Sequence, residues 1–186
     1  MQHVFEQYDR TIQPTKGIYR FCPMCKTELI FDTSVRRQSC PACGFVHFRN
    51  PSPSVTVCIV RDGNVLLTKR AYPPGEDMWA IPGGYIEFEE DFATTGIREM
   101  KEETGLDVQI TAIINIASSF ISPRWHFLNV CLLAEAVGGE LRKNDEIKAT
   151  HWQPLTEQLP DMAFPEDVEN LRILSTPGFT GFPVHS

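Results

Sequence analysis

The sequence predicts an α+β domain with a small cysteine-bearing module in front of it, on three observations. Apolar segments of strand length recur between turn signals from Val55 onward. One segment, Asp91 to Thr104, switches to helical spacing. Ahead of residue 50, four of the six cysteines fall in two C-x-x-C pairs. At 186 residues the chain has room for one domain of ordinary size plus a small module, and it can bury a real core. The boundary is expected near residue 50. That division gives 1–50 for the module with its N-terminal extension and 51–186 for the larger domain.

In the module, Cys22-Pro-Met-Cys25 and Cys40-Pro-Ala-Cys43 are separated by fourteen residues. Two residues between cysteines let a tight turn aim both sulfurs at one ion, and two such knuckles complete a tetrahedral thiolate cage. A site closed by four protein ligands leaves no position for a water. A Zn²⁺ held by Cys22, Cys25, Cys40 and Cys43 is therefore expected to be structural, as in a zinc ribbon. The remaining cysteines, Cys58 and Cys131, sit in the apolar runs VTVCIV and FLNVCLL and read as buried free thiols. That cysteine usage fits a reducing cytosol, so a cytoplasmic protein is expected. The start MQHVFEQYDR has neither a basic head nor an apolar stretch, and no secretory signal is expected from it.

In the larger domain, the Asn-Pro and Ser-Pro steps of RNPSPS push the backbone out of the helical region and lead into a strand. Val55 to Val60 reads as that strand, Asp62-Gly63 as a hairpin turn and Val65 to Lys69 as the return. AYPPGED is a loop, and Trp79 to Tyr85 a short extended piece with a Pro-Gly-Gly bend. The helix follows, with Phe92, Ile97 and Met100 apolar, Asp91 as its N-cap and Gly105 as a left-handed C-terminal cap. Strands are expected at Val108 to Ala117, Trp125 to Val137 and around His151 to Leu155, with a last helix at Glu166 to Leu174. The stretch between Ser118 and Trp125 reads as a Pro-containing loop. The tail GFTGFPVHS carries no readable pattern.

The net charge of −7 is uneven: residues 1–50 carry +3 and the rest −10. An acidic body argues against non-specific nucleic-acid binding, which rests on neutralising phosphates. It suits a protein that recruits divalent cations. No apolar run approaches the roughly 20 residues of a membrane span, so no membrane partner is expected.

The most informative stretch is GYIEFEEDFATTGIREMKEETGL, Gly84 to Leu106. On a helix, residues three and four apart share a face, so Glu99, Glu102 and Glu103 project from one side. Carboxylates crowded together repel one another unless cations sit between them, and hard oxygen ligands select Mg²⁺ or Mn²⁺. Arg98 lies four residues before Glu102 and can orient it through a charge-assisted hydrogen bond. Small Gly84 lets its backbone carbonyl approach a metal. Gly84, Glu90, Arg98, Glu99, Met100, Glu102, Glu103, Gly105 and Leu106 together match the Nudix box at every fixed position. Chance would produce that match on the order of once in ten million chains of this length. On these residues the chain is identified as a member of the Nudix superfamily.

The resemblance implies an α/β/α sandwich with a mixed sheet over roughly residues 52 to 175. It also implies Mg²⁺-dependent hydrolysis of a nucleoside diphosphate linked to another moiety, with release of a nucleoside monophosphate. Glu99, Glu102 and Glu103, with the Gly84 carbonyl, would bind metal. Glu102 or Glu103 would direct the water, and Arg98 would support them. Arg70, Glu87, Glu90 and Tyr85 are candidates for contact with metal or substrate. Trp79, Phe120 and Trp125 are candidates, with Tyr85, for stacking on a base, and Glu146 for an additional base. A ribbon ahead of such a domain is similar to two subgroups. One comprises pyrophosphatases of ADP-ribose and FAD, the other NADH pyrophosphatases that also remove NAD caps from RNA. The latter carry a pattern SQPWPFPxS beyond the box, where this chain has SSFISPRWHF from Ser118 to Phe127. ADP-ribose or FAD is therefore expected ahead of NAD(H). A nucleotide-sensing protein without catalysis is the alternative, and a homodimer is expected by analogy.

Overall fold

The computed structural model describes residues 19–122 and 125–184. Near its N-terminal side, β1 (Ile30–Asp32), β2 (Arg37–Ser39) and β3 (Val46–His47) form a small antiparallel sheet in that order. Cys22 and Cys40 are buried beside it. The N-terminal extension assigned to this module lies almost wholly outside the described residues.

The larger sheet starts with β4 (Ser52–Arg61), turns at Asp62-Gly63 and returns as β5 (Asn64–Arg70). Short strands β6 (Trp79–Ala80) and β7 (Gly83–Tyr85) follow, then helix α1 (Phe92–Thr104). Strands β8 (Leu106–Ser122) and β9 (Trp125–Gly139) form a long hairpin. The chain ends with β10 (Ile147–Pro154), helix α2 (Pro165–Leu174) and β11 (Phe182–Pro183). The strand order is β10-β5-β4-β9-β8-β11, with β6 beside β5 and β7 beside β4. The β4–β9 ladder is parallel and the other ladders are antiparallel, so the sheet is mixed.

The alternation of β4 explains why a helix lies on each face. Successive side chains of a strand point to opposite faces. Val55, Val57 and Ile59 enter one apolar cluster with Leu66, Leu132 and Met100 of α1. Cys58, one residue out of step, enters a second with Val65, Leu67, Cys131 and Leu171 of α2. Both faces of β4 are thus buried and the sheet is sandwiched between helices, as the α+β expectation required.

The later strands differ most from their expected limits. β8 and β9 run longer because they pair with each other almost end to end, and bulges at four places shift their register. Each bulge moves the apolar set to the other face and breaks the period of two that sequence reading depends on. The expected loop after Ser118 is therefore strand as far as Ser122, where Ser118 and Ser119 pair with Leu128 and Phe127. β10 begins at Ile147, earlier than expected, because it pairs with β5 from Arg70 to Asn64. In the unreadable tail, β11 pairs with Ile113 and Ala112 at the β8 edge. A two-residue strand has no period to detect.

Met100 is fully buried between α1 and the sheet. Met100→Ala is expected to lower the unfolding free energy by about 2–5 kcal/mol, measured by urea titration. A loss below about 1 kcal/mol would show that this contact does not hold α1 to the sheet.

Candidate active site

Helix α1 is defined at both ends before any tertiary contact is considered. The Asp91 carboxylate accepts from the backbone N–H groups of Ala93 and Thr94, both at 2.8 Å. At the far end Gly105 takes the left-handed conformation, with φ of 74°, and its N–H donates to the Lys101 carbonyl. Because Met100 faces the core, Glu99, Glu102 and Glu103 are turned towards β7 and the cleft beside it.

Arg98 organises this acidic face. Its Nε and Nη2 donate to the two carboxylate oxygens of Glu90 at 2.7 and 2.9 Å. Nη1 donates to Glu99 at 2.7 Å and to Glu102 at 3.3 Å, and Nη2 also donates to the Tyr85 carbonyl at 3.2 Å. The Arg98 guanidinium holds the Glu90 carboxyl down to about 2. Arg98 is thus a positioning residue that grips Glu99 and Glu102 from one side, with Glu90 as its anchor.

The next carboxylates are perturbed the other way. Burial is the main reason the Glu99 carboxyl is raised, opposed by its hydrogen bond from Arg98. Glu103 is pushed up to about 8, first by burial and then by the charge of Glu99, although its Oε2 accepts from the Gly83 N–H at 3.1 Å. The Glu99 carboxylate lies directly across Gly84, so a methyl group there would displace it.

These groups open onto a cleft of about 450 Å³. Gly84, Tyr85, Glu87, Glu99, Glu102 and Glu103 line it, and Arg70 of β5 lines it as well. The Arg70 Nε donates to the Pro74 carbonyl at 2.7 Å, and its guanidinium lies over the Phe164 ring at 5.1 Å. Tyr85 forms a tilted aromatic pair with Phe127, centroids 5.8 Å apart.

Two expectations are corrected here. Glu90 does not line the cleft, because both its oxygens are committed to Arg98. Trp79 is not a stacking surface: it packs against the second apolar cluster and meets His151 at 5.7 Å. The Phe120 and Trp125 side chains fall outside the described residues.

The cleft also gathers Glu146, Glu166, Asp167 and Asn129. Of these only Glu146 was a sequence candidate. Glu166 and Asp167 are acids in the first turn of a helix, a common arrangement with no distinguishing pattern in sequence. Asp167 is wholly buried, its Oδ2 accepts from the Ile81 N–H at 3.0 Å, and burial pushes its carboxyl up to about 8.

The two proposed metal sets differ in geometry. Among the described residues, the four cysteines are the one group of three or more His, Cys, Asp or Glu whose ligand atoms all lie within 4.8 Å of one another. Cys22 and Cys43 sulfurs are 3.6 Å apart, and those of Cys25 and Cys40 are 3.4 Å apart. A tetrahedron with Zn–S bonds of about 2.3 Å has edges of about 3.8 Å, so the cage fits zinc. The box glutamates share a face and a cleft but stand wider apart, as mutual repulsion demands. Their hard oxygens, with the raised carboxyls of Glu99 and Glu103, form a donor set that suits a divalent cation.

Residues 50–172 match the NUDIX domain family. The chain is similar to an ADP-ribose pyrophosphatase of Methanocaldococcus jannaschii, with 33% identity over 63% of this chain and 69% of that protein. It is also similar to the NAD-capped RNA hydrolase NudC of Stutzerimonas stutzeri, with 31% identity over 72% of this chain and 48% of that protein. The chain thus spans about half the length of this second relative. In structure it resembles a NUDIX hydrolase from Nitrosomonas europaea, with a TM-score of 0.75 at 24% identity, over 88% of this chain and 96% of that one.

Protein purified without added zinc is expected to contain one Zn²⁺ per chain by metal analysis, and Cys40→Ser to lose it. Four freely reactive thiols and no metal would overturn the assignment. A second expectation concerns pH. Asp167 and Glu103 are raised to about 8 in the fold, whereas an unfolded carboxyl titrates near 4. Between those values the folded chain holds protons that the unfolded chain has released, so stability falls as pH rises from about 4 to 8. In EDTA, Asp167→Asn is expected to make the plot of unfolding free energy against pH shallower. An unchanged slope would show that Asp167 titrates normally.

Proposed function

The chain belongs to the NUDIX family, and on that premise we propose that it hydrolyses the diphosphate bond of a nucleoside diphosphate joined to a second moiety. ADP-ribose or FAD is proposed ahead of NAD(H), with release of a nucleoside monophosphate. The observation that carries this reading is that one cleft collects Glu99, Glu102, Glu103 and Gly84 together with Arg70.

In this mechanism Glu99, Glu102, Glu103 and the Gly84 carbonyl would hold Mg²⁺ or Mn²⁺, which would supply neutralisation of the diphosphate and a more acidic water. Arg98 keeps Glu99 and Glu102 from swinging away, so little reorganisation is needed during reaction. Glu102 or Glu103 takes the proton of the attacking water. Arg70, which lines the same cleft, meets the diphosphate, with its direction set by Pro74 and Phe164. Tyr85 and Phe127 offer a flat ring a partly exposed surface at the same cleft.

The lean towards ADP-ribose rests on SSFISPRWHF standing where the NADH pyrophosphatases carry SQPWPFPxS, and on the resemblance to the archaeal relative. The similarity to the NAD-capped RNA hydrolase makes capped RNA the second substrate to examine. A sensor without catalysis is disfavoured by the intact box. We also infer that residues 1–50 form a zinc-stapled module and residues 51–186 the hydrolase domain. A cytoplasmic location and a homodimer complete the proposal, the first from the reduced Cys58 and Cys131 and the second by analogy. No helix among the described residues is long and apolar enough to cross a membrane.

Glu102→Gln keeps the shape but removes the charge. It is expected to lower kcat by at least about a hundredfold, the scale of one strong electrostatic or acid–base group. Its melting temperature without divalent cations is expected to stay close to that of the parent. Near-normal turnover would shift the burden to another acid, with Glu146 next in the cleft. For the substrate, kcat/KM is compared across ADP-ribose, FAD, NADH, NAD-capped RNA, dGTP and diadenosine tetraphosphate at equal Mg²⁺. A lead of more than about tenfold for either of the last two, about 1.4 kcal/mol of transition-state preference, would overturn the substrate class.

A further inference from the structure

Two segments that line the cleft are tied together by a lysine that stands outside it. Pro74 belongs to the loop 71–78 between β5 and β6, and Asn144 and Glu146 to the turn before β10. The Ala71 N–H donates to the Glu146 carbonyl at 2.9 Å, and the Asn144 side chain accepts from the Glu146 N–H at 2.9 Å. The Arg70 N–H donates to the Met78 carbonyl at 3.0 Å and the Arg70 carbonyl accepts from the Asp77 N–H at 3.1 Å. The loop therefore leaves and rejoins the sheet at Arg70.

Lys148 stands where β10 has one residue more than its partner strand. Ile147 is opposite Arg70 and Ala149 is opposite Lys69, so Lys148 is the extra residue of a bulge. A bulge re-aims a side chain out of the ordinary alternation of its strand. Here the ammonium reaches Asp77 Oδ1 at 3.0 Å and Glu76 Oε1 at 3.1 Å, both in the loop. Asp77 and then Glu76 hold the Lys148 ammonium above its ordinary range. The loop needs such a tie. Asp77 has a φ of 65°, in the left-handed region that a residue with a side chain keeps only when its surroundings hold it there. Glu76 and Asp77 are also adjacent carboxylates that repel one another without a cation.

Exposed ion pairs contribute little to stability. The position of this one gives it another role. The loop it closes carries the Pro74 carbonyl, which accepts from Arg70 Nε at 2.7 Å and so sets the direction of the guanidinium. We propose that Lys148 is a positioning residue for Arg70: through Glu76 and Asp77 it fixes the Pro74 loop, and the loop holds the guanidinium at the angle that meets a diphosphate. The proposal rests on the diphosphate reading above and adds the part of the chain that sets the Arg70 geometry.

The test is titration calorimetry on the full chain with Mg²⁺ and α,β-methylene-ADP, a nucleoside diphosphate whose bridge cannot be hydrolysed. Lys148→Met is expected to weaken binding about fivefold, the upper end of what an exposed ion pair supplies, and Lys148→Arg to restore most of it. Removing a cation also weakens anion binding through the overall field, and a second variant separates the two causes. Glu76→Gln with Asp77→Asn makes the chain less negative, so a field effect would strengthen binding. Loss of the clamp is expected to weaken it. In an Arg70→Ala background, Lys148→Met is expected to change binding no further, because the group it positions is gone. Thermal melts establish that each variant is folded. Unchanged binding by folded Lys148→Met, tighter binding by the Glu76 and Asp77 double variant, or an undiminished loss in the Arg70→Ala background would each overturn the proposal. Hydrolysis of ADP-ribose by the parent separates this failure from that of the proposed function. Hydrolysis with no response of binding to Lys148 removes the clamp alone. The expected binding pattern without ADP-ribose hydrolysis keeps the clamp and removes the substrate.

Discussion

The acidic face of α1 depends on Arg98. Three carboxylates within one helical turn and a half repel one another, and a fold that buries part of them adds a desolvation cost. One guanidinium answers both problems by donating to Glu90, Glu99, Glu102 and the Tyr85 carbonyl at once. A planar five-donor group can do this, whereas a lysine ammonium with a single centre cannot reach the same set. Glu103 lies beyond its reach and shows the result: held by a single backbone N–H from Gly83, it is raised to about 8.

That arrangement in turn constrains the sheet. Glu99 lies across Gly84, and Gly84 is paired in β7 with Val55 of β4. Val55 belongs to the cluster that receives Met100. The acidic face of α1 and its core-directed face are therefore fixed by the same strand, a few residues apart. A shift of α1 along the sheet would move the carboxylates and open the core together.

The cleft is polarised. The α1 carboxylates and the buried acids of α2 line the same cleft, and Arg70 contributes to the charge environment of both Glu103 and Asp167. A cation that lowers the cost of two acidic groups is well placed to meet a polyanion in that cleft.

The two cysteine pairs, the box from Gly84 to Leu106, both caps of α1 and the β4–β5 hairpin were legible in the sequence. Each is written in residues close together along the chain, and spacing alone brings them into register. Helical spacing put Glu99, Glu102 and Glu103 on one face, and the C-x-x-C knuckles aimed their sulfurs inward. What depends on long-range pairing was not legible. The bulges of β8 hid its length, and β11 exists only because Phe182 meets Ile113 at a sheet edge. Glu90 read as a candidate ligand until the fold showed Arg98 occupying both its oxygens. Glu166 and Asp167, more than sixty residues beyond the box, read as ordinary first-turn acids. Only the packing of α2 against the sheet buries them and turns them into the cleft, because burial and unsatisfied hydrogen bonding are properties of the surroundings rather than of the residue.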